Sequence, residues 1–170
     1  MEFPDRKSKK LERALERARK DLNEVQLNHK AASDELLNKI KALVDSNGED
    51  VTIVKNIEDL IYELDNDILV DIENALETIG GFELDLVDVE SYLQIVKDEQ
   101  DTLKDLELSE KNLIKAGSTT DNSLQQYELE NLSALSDSYL KIIANTQEKL
   151  NEISDQLQSQ IQKVKKMEVI

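Results

Sequence analysis

Asp45-Ser46-Asn47-Gly48-Glu49-Asp50 breaks an otherwise periodic chain, and its reading decides the fold. Glycine just past a helical run is the expected stop, because it enters the left-handed backbone region at little cost. Asp50 follows as a residue suited to open the next helix. Glycine recurs at only two other places, the pair Gly80-Gly81 and Gly117. Gly117-Ser118-Thr119-Thr120-Asp121 repeats the stop-and-start pattern, with Ser118 and Asp121 at capping-box spacing. Four helices are predicted, over 5–46, 50–79, 82–116 and 120–167.

Working outward, each segment carries an apolar stripe at helical period. In the first, Leu11, Leu15, Ala18, Leu22, Val25, His29, Ala32, Leu36 and Leu43 follow steps of four and three, irregular only near Lys39 and Ile40. A seam sustained over about four heptads defines a coiled coil. Leu132, Leu135, Tyr139, Ile142, Thr146, Leu150, Ile153, Leu157, Ile161 and Val164 repeat it in the last segment. Leu86, Val89, Leu93, Val96, Gln100, Leu103, Leu106 and Leu113 make a thinner stripe in the third. In the second, Val54, Ile57, Ile61, Leu64, Ile68, Ile72, Ala75 and Ile79 are widened by Ile53, Leu60, Leu69, Val70 and Leu76. A wide apolar face implies more than one neighbour, and makes this the most central helix. Its Ile and Val content lowers helix propensity, so packing has to hold it helical.

The expected fold is all-α: one elongated domain over 1–170, an antiparallel helical bundle or coiled coil of four long helices, rod-shaped. Short connections force successive helices to run antiparallel. At 1.5 Å per residue the four measure about 63, 45, 52 and 72 Å, so the first and last should pair beyond the middle two. The opening Met1-Glu2-Phe3-Pro4 and the uncapped end through Val164, Met167 and Ile170 suggest a piece of a longer coiled-coil protein.

Composition removes most chemistry. Leu, Ile, Val and Phe supply 51 of 170 residues, above the roughly 20% below which a charged chain stays disordered. There is no Cys and one His, which excludes thiolate metal sites, a thiol nucleophile and nearly all imidazole chemistry. A di-iron bundle needs two Glu-x-x-His motifs, whereas Gln26 stands three before His29. Asp65-Asn66-Asp67 with Asp71 lacks the glycine of a calcium loop, and residues 45–50 lack its distal Glu. No phosphate loop, nucleophile elbow or zinc-protease helix occurs. No enzymatic activity, cofactor or metal is expected. Nothing resembles a signal peptide or an apolar span, so a cytoplasmic location is expected, and Asn131-Leu132-Ser133 is an idle glycosylation sequon. His29 falls on the seam, where a polar residue fixes register; a pH switch is the competing role.

Charge is the remaining signal. The formal net charge is −16, which argues against nucleic acid as a partner. Its distribution is polar. Residues 1–20 hold Arg6, Lys7, Lys9, Lys10, Arg13, Arg17, Arg19 and Lys20 against four acids, and Lys163, Lys165 and Lys166 cluster at the other end. Residues 58–110 hold 18 acids and only Lys97 and Lys104. In an antiparallel bundle both basic ends share one pole, giving a basic tip on an acidic body. Cations at a helix N-terminus oppose its dipole, which points to a partner or to further helix upstream. These features suggest a self-associating scaffold, a homodimer that docks other proteins, of the cytoskeletal, tethering or polarity type. The alternative is a dimeric helical module that binds membrane surfaces through the basic tip, although its acidic hairpin lacks the lysine face such a surface needs.

Overall fold

The structure is a computed structural model that describes residues 5–82, 89–118 and 122–168. The side chains of residues 5–7, Val89 and Glu168 lie outside the description, as do Asp121 of the expected capping box and Leu86 of the third stripe. Helix α1 spans Asp5–Asp45. A 3-10 turn at Val51–Ile53 leads into α2, Val54–Glu63, and a π turn at Leu64–Ile68 joins it to α3, Leu69–Gly80. Helix α4 spans Val89–Gly117 and α5 spans Asn122–Glu168. No strand occurs among the described residues. The fold is an all-α bundle.

The turn at 46–50 behaves as its residues require. Asn47 and Gly48 take positive φ, 56° and 78°. The Gly48 N–H reaches the Leu43 carbonyl and the Asn47 N–H that of Val44, both at 2.9 Å. These two bonds form a Schellman ending, which satisfies carbonyls that the last helical turn leaves bare. Asp50 does not cap the next helix; its carboxylate accepts the Thr52 hydroxyl instead. At Gly81 the backbone stays right-handed, φ −68°, so glycine's extra freedom is not used there. Phe82 lies in a turn against the core, outside any helix, and residues 83–88 of the expected third helix lie outside the description. Ser118 closes the end of α4 by donating its hydroxyl to the Lys115 carbonyl at 2.7 Å.

The π turn answers a conflict in the sequence. Leu64, Ile68, Ile72 and Leu76 are spaced by successive fours, and all are buried. On a 3.6-residue helix each such step advances the face by about 40°, so three of them would carry the stripe off the core. One wide turn at Leu64–Ile68, closed by the Leu69 N–H on the Leu64 carbonyl, absorbs the surplus. The backbone remains right-handed throughout, so residues 54–80 form one continuous helical arm.

Each arm packs mainly on two neighbours: α1 on α5 and on the α2–α3 arm, and α4 on α5 and on that arm. The wide apolar face of α2–α3 therefore serves two contacts, as expected, but no arm is more central than another. Cross-helix contacts fix direction. Glu12 meets Lys165, Arg19 meets Ser154, Gln26 meets Asn151, and the Asn47 carbonyl meets Gln125. Numbers rise along α1 as they fall along α5, so the two run oppositely. Tyr92 with Glu152 and Ser109 with Asn131 show the same for α4 and α5.

One apolar core runs through all arms. Leu15, Leu22, Leu36, Leu43, Leu103, Leu132 and Leu157 are fully or almost fully buried, each worth roughly 1.5–3 kcal/mol of transfer free energy. Ile40 fills the irregular point of the first seam, and Ile143, not Ile142, is the buried residue of its pair in α5. In α4 the seam runs Tyr92, Val96, Glu99, Leu103, Leu106, Glu110, Leu113, an unbroken four–three alternation. Gln100, assigned to the stripe from sequence, is only half-buried; the neighbouring carboxylate takes the core position.

Candidate functional site

Three features of the bundle carry chemistry: a buried polar cluster, the basic end, and an acidic cleft on the opposite side of the α2–α3 arm. The buried cluster joins α1, α4 and α5. His29 Nε2 lies 2.8 and 2.7 Å from the two carboxylate oxygens of Glu99. Glu99 also accepts the Tyr139 hydroxyl at 3.3 Å and the Thr146 hydroxyl at 3.2 Å. Gln147 Nε2 stands 2.6 Å from His29 Nδ1, so its amide donates there and places the ring hydrogen on Nε2, facing Glu99. Burial, then the Glu99 charge, pushes the Tyr139 phenol well above its ordinary pKa, which keeps it a donor. His29 and Glu99 are both 0% exposed. No substrate reaches them. His29, Glu99, Tyr139, Thr146 and the Gln147 amide nitrogen each meet a partner on another helix, which suits the register role of His29, because a one-step slip would strand all of them.

The basic end is divided by the packing. Lys165 Nζ lies 3.7 Å from Glu12 and 3.6 Å from Glu16, so the start of α1 and the end of α5 meet at one pole. Arg19 is spent inside the bundle: its Nε donates to the Ser154 carbonyl at 3.1 Å and to the hydroxyl at 3.2 Å. Lys20 lies along the α1–α5 groove with Asn23 and Leu27. Lys163 and Lys166 are exposed. Arg6 and Lys7 belong to α1, with side chains outside the description. The other four, Lys9, Lys10, Arg13 and Arg17, surround one open groove floored by Ala14. Among the described residues none of these four makes an ion pair.

The acidic cleft lies between α2 and α4. Glu58, Asp59, Asp65 and Glu107 surround a volume of about 340 Å3 together with Tyr62, Asn66 and Lys111. The π turn presents Asp65 and Asn66 to it. Lys111 is held by Glu107 at 2.8 Å, which raises its pKa. Behind this wall sits Glu110, 1% exposed, whose two carboxylate oxygens have no hydrogen-bond partner. Burial pushes its pKa up to about 7, Glu58 and Glu107 push the same way, and Lys111 offsets part. Among the described residues no group of three or more His, Asp or Glu is placed to hold a metal ion.

Glu99 and Glu110 are the residues that sequence reasoning missed. Their signal was available, since the uninterrupted heptad 92–96–99–103–106–110–113 puts both on the seam of α4.

Compared with known proteins, the chain matches no family model, no curated protein and no solved structure. No helix among the described residues is long and apolar enough to cross a membrane.

Proposed function

We propose that this chain is a non-enzymatic structural module: a self-associating helical scaffold, homodimeric and elongated, that holds partner proteins in the cytoplasm in the manner of cytoskeletal, tethering or polarity proteins. One observation carries this reading. Among the described residues, Lys9, Lys10, Arg13 and Arg17 on α1 at one end and Glu58, Asp59 and Asp65 on the α2–α4 side form no ion pairs, and opposite surface charges of this kind steer association. The polar cluster around His29 and Glu99 is sealed inside the core, where it serves packing and offers nothing to a substrate.

Sedimentation at two salt concentrations tests it. An elongated dimer at low salt that dissociates as salt rises is the expected result, because exposed charges are screened beyond about 10 Å at 0.1 M. A compact monomer unaffected by salt overturns it. The second reading, docking on an anionic membrane surface, draws on the same unpaired Lys9, Lys10, Arg13 and Arg17. Co-sedimentation with anionic vesicles that is lost on charge reversal of these four would favour it over the first.

A further inference from the structure

We propose that Asn47-Gly48, in the turn between α1 and α2, is a site of spontaneous covalent modification that the closed fold holds in check, with Gln125 of α5 as the latch. This concerns the turn alone and stands apart from self-association.

The chemistry needs only water. The Gly48 backbone nitrogen, once deprotonated, attacks Cγ of the Asn47 side-chain amide. A new C–N bond closes a succinimide ring, the old C–N bond breaks, and ammonia leaves with the proton that the nitrogen gave up. Water then opens the ring at either carbonyl. One opening gives aspartate; the other gives isoaspartate, in which the backbone runs through the former side chain. Glycine favours the attack because no Cβ shields its nitrogen. Asn47-Gly48 is the only Asn-Gly pair in the sequence, and the Asn47 side chain is exposed to water.

In the closed turn the attacking nitrogen is occupied. Its N–H donates to the Leu43 carbonyl at 2.9 Å, a bond that deprotonation must break. The Asn47 carbonyl belongs to the same planar peptide unit, and Gln125 Nε2 donates to it at 2.9 Å. One rigid plane is thus pinned at both ends, by α1 and by α5. Gly48 also lies against Leu113 of α4, where an added Cβ would stand 3.2 Å from Cδ1. Leu43 and Leu113 belong to the core, whereas Gln125 is a half-buried side chain held by one contact at this turn. Its removal frees the Asn47 carbonyl without emptying the core, which is why it acts as the latch. Both products disfavour closure afterwards. Aspartate adds a charge beside Asp45, Glu49 and Asp50 at the negative end of the α1 dipole. Isoaspartate lengthens the backbone by one carbon, so the N–H groups of residues 47 and 48 lose their alignment with the Val44 and Leu43 carbonyls. A local opening is thereby made permanent.

Peptide mapping of the full chain tests this. The folded parent, the parent unfolded in guanidinium chloride, Gln125→Ala and Leu157→Ala are held at mildly alkaline pH. Mass spectrometry of the tryptic peptide 42–55 then follows aspartate and isoaspartate at position 47, and circular dichroism checks that both variants are folded. The unfolded chain should convert fastest and the folded parent about tenfold or more slowly, since a slow covalent step tracks the population of the open form. Gln125→Ala should convert about fivefold faster than the folded parent, the factor that one net hydrogen bond contributes. Leu157→Ala leaves a cavity in the core far from the turn and should stay near the parent rate. Equal rates in the folded and unfolded parent, an intact Asn47 in the unfolded chain, or a Gln125→Ala rate equal to the parent's would overturn the proposal. Faster conversion in Leu157→Ala than in Gln125→Ala would overturn it too, by showing that global unfolding exposes the site and not release of the latch.

Discussion

The α1–α5 side and the α2–α4 side of this bundle are built from similar apolar seams but dispose of their polar groups differently. Across α1 and α5, Arg19 binds Ser154, Gln26 binds Asn151, and Gln147 binds His29. These polar side chains are consumed by the opposite helix. Across α2 and α4 the seam includes Glu110 with bare oxygens, and the rim carries carboxylates whose charges are left over. Glu99, on the same helix as Glu110, shows what satisfaction looks like: it faces three donors from two other helices. The lesson is that a carboxylate in a helical seam is neutral ground. Its neighbours decide whether it locks the fold or remains as unspent charge for a partner.

The contrast is open to attack where it is strongest. Glu99→Ala leaves His29, Tyr139 and Thr146 buried without their acceptor and should cost about 3–5 kcal/mol in urea unfolding. Replacing His29 and Glu99 together by Leu should recover most of that loss, since an apolar pair strands fewer polar atoms.

Glu110→Gln tests the other side, with the opposite sign. The native pKa of about 7 lies above the ordinary carboxyl value of 4.5, so the folded state holds its proton more tightly than the unfolded chain. The native state is therefore favoured at low pH, and stability is lost as pH rises from 4.5 through 7. Removing the charge should stabilise the protein by about 1–2 kcal/mol at pH 8 and leave it unchanged near pH 4. Unfolding curves at the two pH values measure this directly, and a loss of stability at pH 8 would contradict the origin assigned to the shift.

Lys165→Ala gives the smallest effect. Its contacts with Glu12 and Glu16 are long and open to water, so the change should stay within about 0.5 kcal/mol by thermal melting.

Much of the architecture was legible in advance. Leu15, Leu22, Leu36 and Leu43 on α1, and Leu150, Leu157 and Ile161 on α5, are buried where the four–three spacing places them. The turn at Asn47-Gly48 uses positive φ as its residues announce. Reading failed where a seam position is held by a carboxylate. The third stripe was drawn through Gln100, and the neighbouring Glu99, which takes the core position, went unread with its partner His29. The π turn was also missed, although the run of fours from Leu64 to Leu76 states the mismatch. The division of the basic end lay beyond any one-dimensional pattern. Arg17 and Arg19 are near neighbours on one helix, and only the position of Ser154 on another separates a packing residue from an exposed one.

The single extra residue held in the wide turn at Leu64–Ile68 therefore has a reach well beyond its own backbone. A chain shortened by one position there could close as ordinary α-helix with both flanking segments still in phase, because the wide turn already holds the residue that the deletion removes. Forcing the full-length chain into unbroken α-helix would instead turn everything beyond the wide turn by about 100°, carrying Ile72 and Leu76 off the core they fill.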